Sequence, residues 1–396
     1  SCVVAGTGAL GIPHALSRSG WIGLLFLGLS AVMAQFSGCL LIRCLYHRQG
    51  HRLSGFPEIG RVTFGLPGRI VGIVFSMLLL LFTPTLYMIL AGDNLSRLLG
   101  SAGVFVSRKA CTWIVSAIVG FPFALVRTMR DVSFLSFFAS MATVGLLFVI
   151  TSVSVSVIHE QPNVHHDWAN AGGIPIAFST FSFSYCGNVI YPHLESSMAE
   201  PSDWPKVLLV ATFAVTIMYL TVGFLAYLAY GSTVLNPVYD SLPQGSAQNV
   251  AMLVATLHVL LAVPMYLYVL TVGIETWLDH DDNRQHVSWM NRQLQWLQQH
   301  ARATRIVLRT VEICACAVIA MLTPYFSDFM SLIGTIAAES LTFVLPCIFW
   351  IKLSWHDRNT WELAGCALIA AVGIFCAVFG TADAVKLFLN DIRQSA

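Results

Sequence analysis

Residues 1–16 read SCVVAGTGALGIPHAL, and here Gly6, Gly8, Gly11 and Pro13 interrupt what is otherwise an apolar run. Glycine costs about 1 kcal/mol and proline about 3 kcal/mol in a helix interior relative to alanine. In hydrocarbon, the backbone groups freed by such a break are tolerated only where they face protein or a water-filled cavity. The stretch therefore predicts a helix broken at membrane depth, beside a binding site. A surface of small residues for close helix packing is the competing reading, because GxxxG-type spacing also permits it.

The same punctuation returns in residues 178–198, FSTFSFSYCGNVIYPHLESSM, where Gly187 precedes Pro192 by five positions as Gly8 precedes Pro13. The two breaks lie about 180 residues apart, and each begins a run of five spans, first through residue 158 and then through 351. Five is odd, so the second run enters the bilayer in the opposite orientation. An inverted repeat with one discontinuous helix in each half is the pattern of secondary transporters that bind substrate at the midplane.

Uninterrupted apolar runs of spanning length lie at 21–46, 69–97, 110–127, 132–158, 205–231, 248–277, 306–327, 329–351 and 361–385, each near the roughly 20 residues a bilayer requires. With the broken segments at 1–17 and 174–199, eleven spans are predicted. The expected fold class is all-α integral membrane, one transmembrane domain with repeat one over 1–158, repeat two over 174–351 and an extra helix over 361–385. Composition agrees: 56% of the 396 residues are hydrophobic and 10% charged, with mean hydropathy +0.73, where a soluble domain carries about 25% charge. The lipid bilayer is thus the first partner, and a large extramembrane catalytic domain is excluded. Basic residues number 21 against 20 acidic, with no dense run, which removes nucleic acid as a partner. The chain opens at Ser1 rather than Met, and a truncated amino terminus is expected.

Lys and Arg sorted by alternate connections test the topology, because positive charge is retained on the cytoplasmic side. With the amino terminus cytoplasmic, fifteen fall inside, among them Arg43, Arg48, Arg52, Arg61, Arg69, Arg127, Arg130 and Arg305, and six outside: Arg18, Arg97, Arg108, Lys109, Lys386 and Arg393. The inside connection 279–305 spaces Val287, Met290, Leu294, Leu297 and Ala301 as an amphipathic helix on the membrane surface. His165, His166 and Asp167 sit together in an outside connection and are expected to be an exposed polar loop. Ten cysteines are scattered singly, without CxxC pairs or histidines at ligand spacing, so they are expected to pack rather than to bind metal. No metal and no cofactor is called for.

The broken ends suggest chemistry. Amides around Gly6, Thr7, Gly8, Ala9, Leu10 and Gly11, at the start of a half-helix, present a positive dipole end that suits a carboxylate. Carbonyls freed around Ser182, Phe183, Ser184 and Tyr185, ahead of Gly187, suit an ammonium group. Both together match a zwitterion, and amino acids are the simplest such class, although a small carboxylic acid satisfies the first half equally well.

At these residues the chain resembles the amino acid/auxin permease family, over essentially its whole length. GTGALGIPHAL (6–16) with SGWIGLL (19–25) is similar to the family's opening motif. FPEIGRVTFGLPGR (56–69) resembles its first cytoplasmic loop, AGDNLSRLL (91–99) the end of its third helix, and FSYCGNVIYPHLESSMAEPSDWPKVL (183–208) its broken sixth helix. The resemblance implies a LeuT-like, APC-type fold of two inverted five-helix repeats plus an extra helix, with discontinuous helices 1 and 6. It leans toward the vacuolar branch, and so toward a vacuolar or related endomembrane.

Departures from the family bear on coupling. Sodium-coupled members carry an Asn just before the glycine break and a Thr just before the proline of the eighth helix, where this chain has Cys2 and Ala262. Both oxygen ligands would be missing, which favours protons as the coupling partner. His14 stands where the family usually has Tyr. Acidic groups in spans are the natural carriers, since an uncompensated charge at a helix centre costs roughly 3 kcal/mol on insertion scales. Glu339, mid-span in GTIAAESLTFVLP (334–346), stands out; hydrogen bonding to Thr335 or Ser340 is its structural alternative. His14 and Asp93 join Glu339 as coupling candidates, with Asp93 nearer the interface. Glu275 and Glu312 are expected to be solvated at cytoplasmic ends, and His258 to be a hydrogen-bonded packing residue. Asn94-Leu95-Ser96 is a formal glycosylation site expected to go unused so close to the membrane.

These observations predict a secondary active transporter of neutral amino acids, proton-coupled, working by alternating access. An amino acid sensor on the same fold and a sodium-coupled symporter are the alternatives. An enzyme is not expected, because no acid-base or metal cluster gathers at one membrane face.

Overall fold

The structure, a computed structural model, describes residues 6–47, 52–125, 129–158, 164–280, 301–323, 325–355 and 360–395. The helices are α1 (Gly8–Ser19), α2 (Ile22–Leu45), α3 (Phe56–Ser101), α4 (Arg108–Leu125), α5 (Met129–Ile158), α6 (Ile174–Ser184), α7 (Tyr191–Ser196), α8 (Trp204–Tyr230), α9 (Ser246–His280), α10 (Ala301–Leu322), α11 (Phe326–Leu353) and α12 (Thr360–Ser395). Among the described residues, counting α6 and α7 as one broken span gives eleven, as the apolar pattern predicts. Most of the surface predicted to be a membrane-lying helix, 281–300, is outside the described residues, as is Cys2.

The helices pack in two groups. One group joins α1, α2, α6 and α8, and a second joins α3, α4, α9 and α10. Between them α5 packs against α8 and α9 as α11 packs against α2 and α3, the exchange that the expected two-fold relation would produce.

Local sequence explains the principal turns. α1 closes on Gly20, whose N–H bonds Leu16 O at 2.7 Å with φ at +79°, a helix end that favours glycine. A Cβ there would also lie 2.7 Å from Asp167 O. Trp21 then stacks on His166 at 5.6 Å between centroids, and the His166 Nε2 faces the carbonyls of Tyr227 and Leu228 at 3.1 Å. The predicted polar loop is therefore docked on the α1–α2 turn and the end of α8, with His165 exposed and Asp167 half-buried, 3.1 Å apart. The FPEIGRVTF stretch, expected as a loop, is helical and folds back at Gly65, where φ is +69°. Gly60 meets Gly68 across that fold, backbone against backbone.

The cysteines behave as packing residues in part. Cys111, Cys186, Cys316, Cys366 and Cys376 are buried, whereas Cys314 is exposed.

Candidate functional site at the crossing of the broken helices

α1 begins at Gly8, and α6 ends at Ser184, after which residues 185–190 run without helix until α7. The two ends cross. A Cβ on Gly8 would lie 2.5 Å from Ser184 Oγ and 2.6 Å from its Cα, so only glycine permits the approach. One turn along α1, a Cβ on Gly11 would meet Thr180 of α6 and Met330 of α11. Gly6, Thr7, Gly8, Ala9, Leu10 and Gly11 are buried, as are Ser182, Phe183, Ser184, Tyr185 and Gly187. The two sets identified in the sequence are thus brought to one place.

The backbone at the crossing is less open than the sequence reading expects. The amides of Ala9 and Leu10 donate to the Gly6 and Thr7 carbonyls at 3.2 and 3.0 Å. The Phe183 carbonyl accepts from Cys186 N–H at 3.1 Å and that of Tyr185 from Gly187 N–H at 3.0 Å. The Ser184 carbonyl accepts from the Tyr219 hydroxyl at 3.0 Å. The physical reason is general: buried backbone groups are satisfied by turns and neighbours before any ligand arrives. Each carbonyl oxygen retains a second lone pair. The Ser182 and Ser184 hydroxyls bond back to Phe178 O and Thr180 O at 2.8 and 2.7 Å, and Tyr185 reaches Thr216 at 3.0 Å. Thr7 Oγ1, buried at the start of α1, has no hydrogen-bond partner among the described residues.

A small cavity lies at the crossing, about 240 Å³ with its open side included but with free room of only about 10 Å³, close to that of a single water, walled by Gly6, Gly8, Phe183, Ser184 and Cys186 from the breaks, by Leu79, Thr83 and Tyr87 of α3 and by Tyr266 of α9. Its walls carry no charged side chain. A larger cavity of about 1340 Å³, its open mouth included, lies toward the α2–α3 connection and is lined in part by Arg61, Arg69, Ser76, Leu80, Val189 and His193. A third, of about 790 Å³ with its open side included, lies on the other side of the crossing between His14 and Arg18 of α1, Thr180 of α6, Asn236, and Asp328 and Ser331 of α11. The broken helices contribute to all three.

Glu339 is fully buried in α11, between two π-helical turns, Gly334–Ala338 and Ser340–Val344, a distortion frequent at functional sites. Its Oε1 lies 3.4 Å from Ser182 Oγ, and Oε2 has no hydrogen-bond partner among the described residues. Thr335 and Ser340, offered as structural partners, bond instead to Ser331 O and Ile336 O at 3.1 and 2.7 Å. Asn188 of the second break donates to Leu341 O and Thr342 O of the same π segment, each at 3.2 Å. The carboxyl of Glu339 thus meets the end of α6 through Ser182, and the π segment that carries it is held to the second break through Asn188.

The other candidates lie elsewhere. His14 lines the third cavity. Asp93 is at the far end of α3, where Arg108 approaches it at 3.4 Å. His258 is buried with Nδ1 between Thr143 Oγ1 at 2.8 Å and Ala139 O at 2.9 Å, the packing arrangement expected. Glu275 is partly exposed and pairs with Arg305 at 2.9 Å. Glu312 departs from expectation: it is 4% exposed and accepts from Thr271 Oγ1 at 2.7 Å. α10 starts at residue 301, so position 312 falls in the middle of its helix against α9 rather than at a solvated end. Asn94 is buried and engaged with Tyr239, Met252 and Thr256, which leaves its amide inaccessible to glycosylation.

Leu79, Thr83, Tyr87, Tyr266 and Asn188 were not identified from sequence. Pro84 and Pro264, each inside a helix and within two residues of a wall residue, carry the same signal of a disturbed backbone that marked the two breaks.

Residues 1–386 match the profile of a family described as transmembrane amino acid transporter protein. Similar relatives from Arabidopsis thaliana include amino acid transporter AVT1J, 27% identical over 97% of this chain and 88% of that protein, and amino acid transporter AVT1I, 27% identical over 98% and 93%. Among solved structures, MHP1, a nucleobase-cation-symport-1 family transporter in a closed conformation with bromovinylhydantoin bound, superposes with a TM-score of 0.56 at 12% identity, over 99% of this chain and 90% of that one.

Proposed function

The chain belongs to the transmembrane amino acid transporter family, and from that premise we propose that it is a secondary active transporter of neutral amino acids, coupled to protons, across a vacuolar or related endomembrane. The observation that carries this reading is the crossing of the two breaks at Gly8 and Ser184, with an uncharged cavity beside it and a buried carboxyl one helix away. A zwitterion's carboxylate is served by the amino end of α1 and its ammonium by the second lone pairs of the α6 carbonyls. A charged side chain would find no counter-ion in the walls, which favours neutral substrates.

Residues 1–158 and 174–351 act as the two repeats, with 361–385 as the additional helix. The α2–α3 side, richer in Lys and Arg, faces the cytoplasm together with the amino terminus. Alternating access moves α1 and α6 against the α3–α4–α9–α10 group, so that the crossing meets the large cavity and the His14 cavity in turn. Glu339 takes up and releases the coupled proton, and its contact with Ser182 links that event to the end of α6. Ala262 is buried and has no side-chain oxygen, which supports protons rather than sodium.

In proteoliposomes holding the full-length protein, neutral amino acid flux is expected to follow an imposed pH gradient and to ignore sodium. Glu339→Gln is expected to flatten the pH dependence of that flux while the protein remains folded. Flux driven by sodium alone would reject proton coupling, and an unaltered pH profile would return Glu339 to a structural role.

A further inference from the structure

Hydroxyls on the helices of this protein commonly bond to the carbonyl one turn back, as Thr85 does to Leu81 O at 2.8 Å, Thr112 to Arg108 O at 3.0 Å and Thr256 to Met252 O at 2.7 Å. Thr83 and Ser76 of α3 do not. Thr83 is 2% and Ser76 5% exposed, and neither hydroxyl has a hydrogen-bond partner among the described residues. Such atoms destabilise a folded chain unless a ligand or water completes them.

Their placement is not random. Residues 76, 80, 83 and 87 share one face of α3, separated by three and four positions. Ser76 and Leu80 line the large cavity, and Thr83 and Tyr87 line the small cavity at the crossing. Pro84 has no N–H to offer the Leu80 carbonyl, so a further acceptor is freed between the two hydroxyls. One helix face therefore joins both cavities and carries polar atoms that the fold itself does not use.

We infer that this face of α3 is the substrate's path between the crossing and the large cavity, and that Thr83 is a substrate-binding residue that donates its hydroxyl to the carboxylate of a neutral amino acid. The inference rests on the proposed amino acid transport for the identity of the ligand, and on geometry alone for the path. Leu79, Tyr87 and Tyr266 then form the wall against which the substrate side chain lies.

The test uses the full-length protein in proteoliposomes with glycine, alanine, valine, leucine and phenylalanine. Thr83→Val keeps the side chain's shape without the hydroxyl and is expected to raise KM about tenfold with the maximal rate held within about twofold, and Thr83→Ser to restore it. A threonine that merely packs would be replaced best by valine, so an unchanged KM in Thr83→Val would overturn its role. Thr83→Cys and Ser76→Cys, treated with a small thiol reagent and read by peptide mass, are both expected to be labelled, more slowly when an amino acid is saturating. Absence of labelling at both positions would overturn the path. Labelling that no amino acid slows would retire the amino acid as ligand while keeping the path, and this arm decides the matter even for a chain that shows no amino acid flux.

Discussion

A Cβ at position 8 would stand 2.6 Å from the Ser184 Cα, whereas one at Gly28 of α2 would meet nothing within 4 Å. Gly8 is the first residue of α1, where the interior penalty of glycine does not apply, and Gly8→Ala must push α1 off α6. We therefore expect Gly8→Ala to lower uptake at least about tenfold and Gly8→Val to abolish it, since backbone contacts in a packed core yield little. Gly28→Ala should leave uptake unchanged. All three should elute as monodisperse protein in size-exclusion chromatography, and normal uptake by Gly8→Val would show that the two breaks do not cross as described. Gly8 was legible in sequence because a break and a close helix contact are the two reasons for glycine to recur with that spacing in hydrocarbon, and both place it against another helix. Thr83 was not, because threonine is tolerated anywhere in a span when its hydroxyl bonds back to its own helix, and only tertiary structure shows that this one does not.

The connection after α8 shows how an element can respond to pH. Its short turn, Val238–Ser241, buries Tyr239, whose hydroxyl donates to Asn94 Oδ1 at 2.8 Å, and places Asp240 2.5 Å from Arg97. Burial raises the Asp240 carboxyl above its ordinary value of 3.8, against the opposing pull of Arg97. A value raised on docking means that the docked turn binds the proton more tightly than the undocked one. Docking is therefore strongest at low pH and weakens as pH rises from 3.8 through the raised value. Hydrogen exchange at residues 238–242, corrected for intrinsic rates, should be slower at about pH 4.5 than at about pH 7, and Asp240→Asn should remove the difference. Protection that increases with pH would mean that the ion pair outweighs burial. The GDNL stretch was visible in sequence as a motif, but the partners of Asn94 are Tyr239, some 145 residues away, and Met252 and Thr256 of α9, beyond the reach of any local pattern. The π turns around Glu339 are hidden for a related reason: they arise from how α11 packs, not from a residue type that dictates them.

At the scale of the molecule, eleven spans and the interruption between α6 and α7 followed from hydropathy and punctuation, because hydrocarbon forbids unsatisfied backbone and so writes its constraint into the sequence, while the stretch ahead of Gly6, on which a break in the first helix depends, lies outside the described residues. Which helices move together did not follow, since that depends on contacts between distant spans. The packing separates α1, α2, α6 and α8 from α3, α4, α9 and α10, with α5 and α11 between them. Alternating access by rigid rocking requires that distances within each group hold while those between groups change. Leu25 on α2, Val210 on α8, Val74 on α3 and Ile118 on α4 are exposed at the periphery and can carry spin labels without entering the core. Pulsed distance measurements in liposomes should show Leu25–Val210 and Val74–Ile118 unchanged between acid and neutral pH, and between amino acid and none. Leu25–Val74 should shift by several ångströms, about the scale of a helix turn. If Leu25–Val210 broadens as much as Leu25–Val74, the first group is not a unit, and access must instead be switched by local bending of α1 and α6 at the breaks. The close contact of Gly8 with Ser184 argues for the unit, because two half-helices locked backbone to backbone have more freedom to travel together than to part.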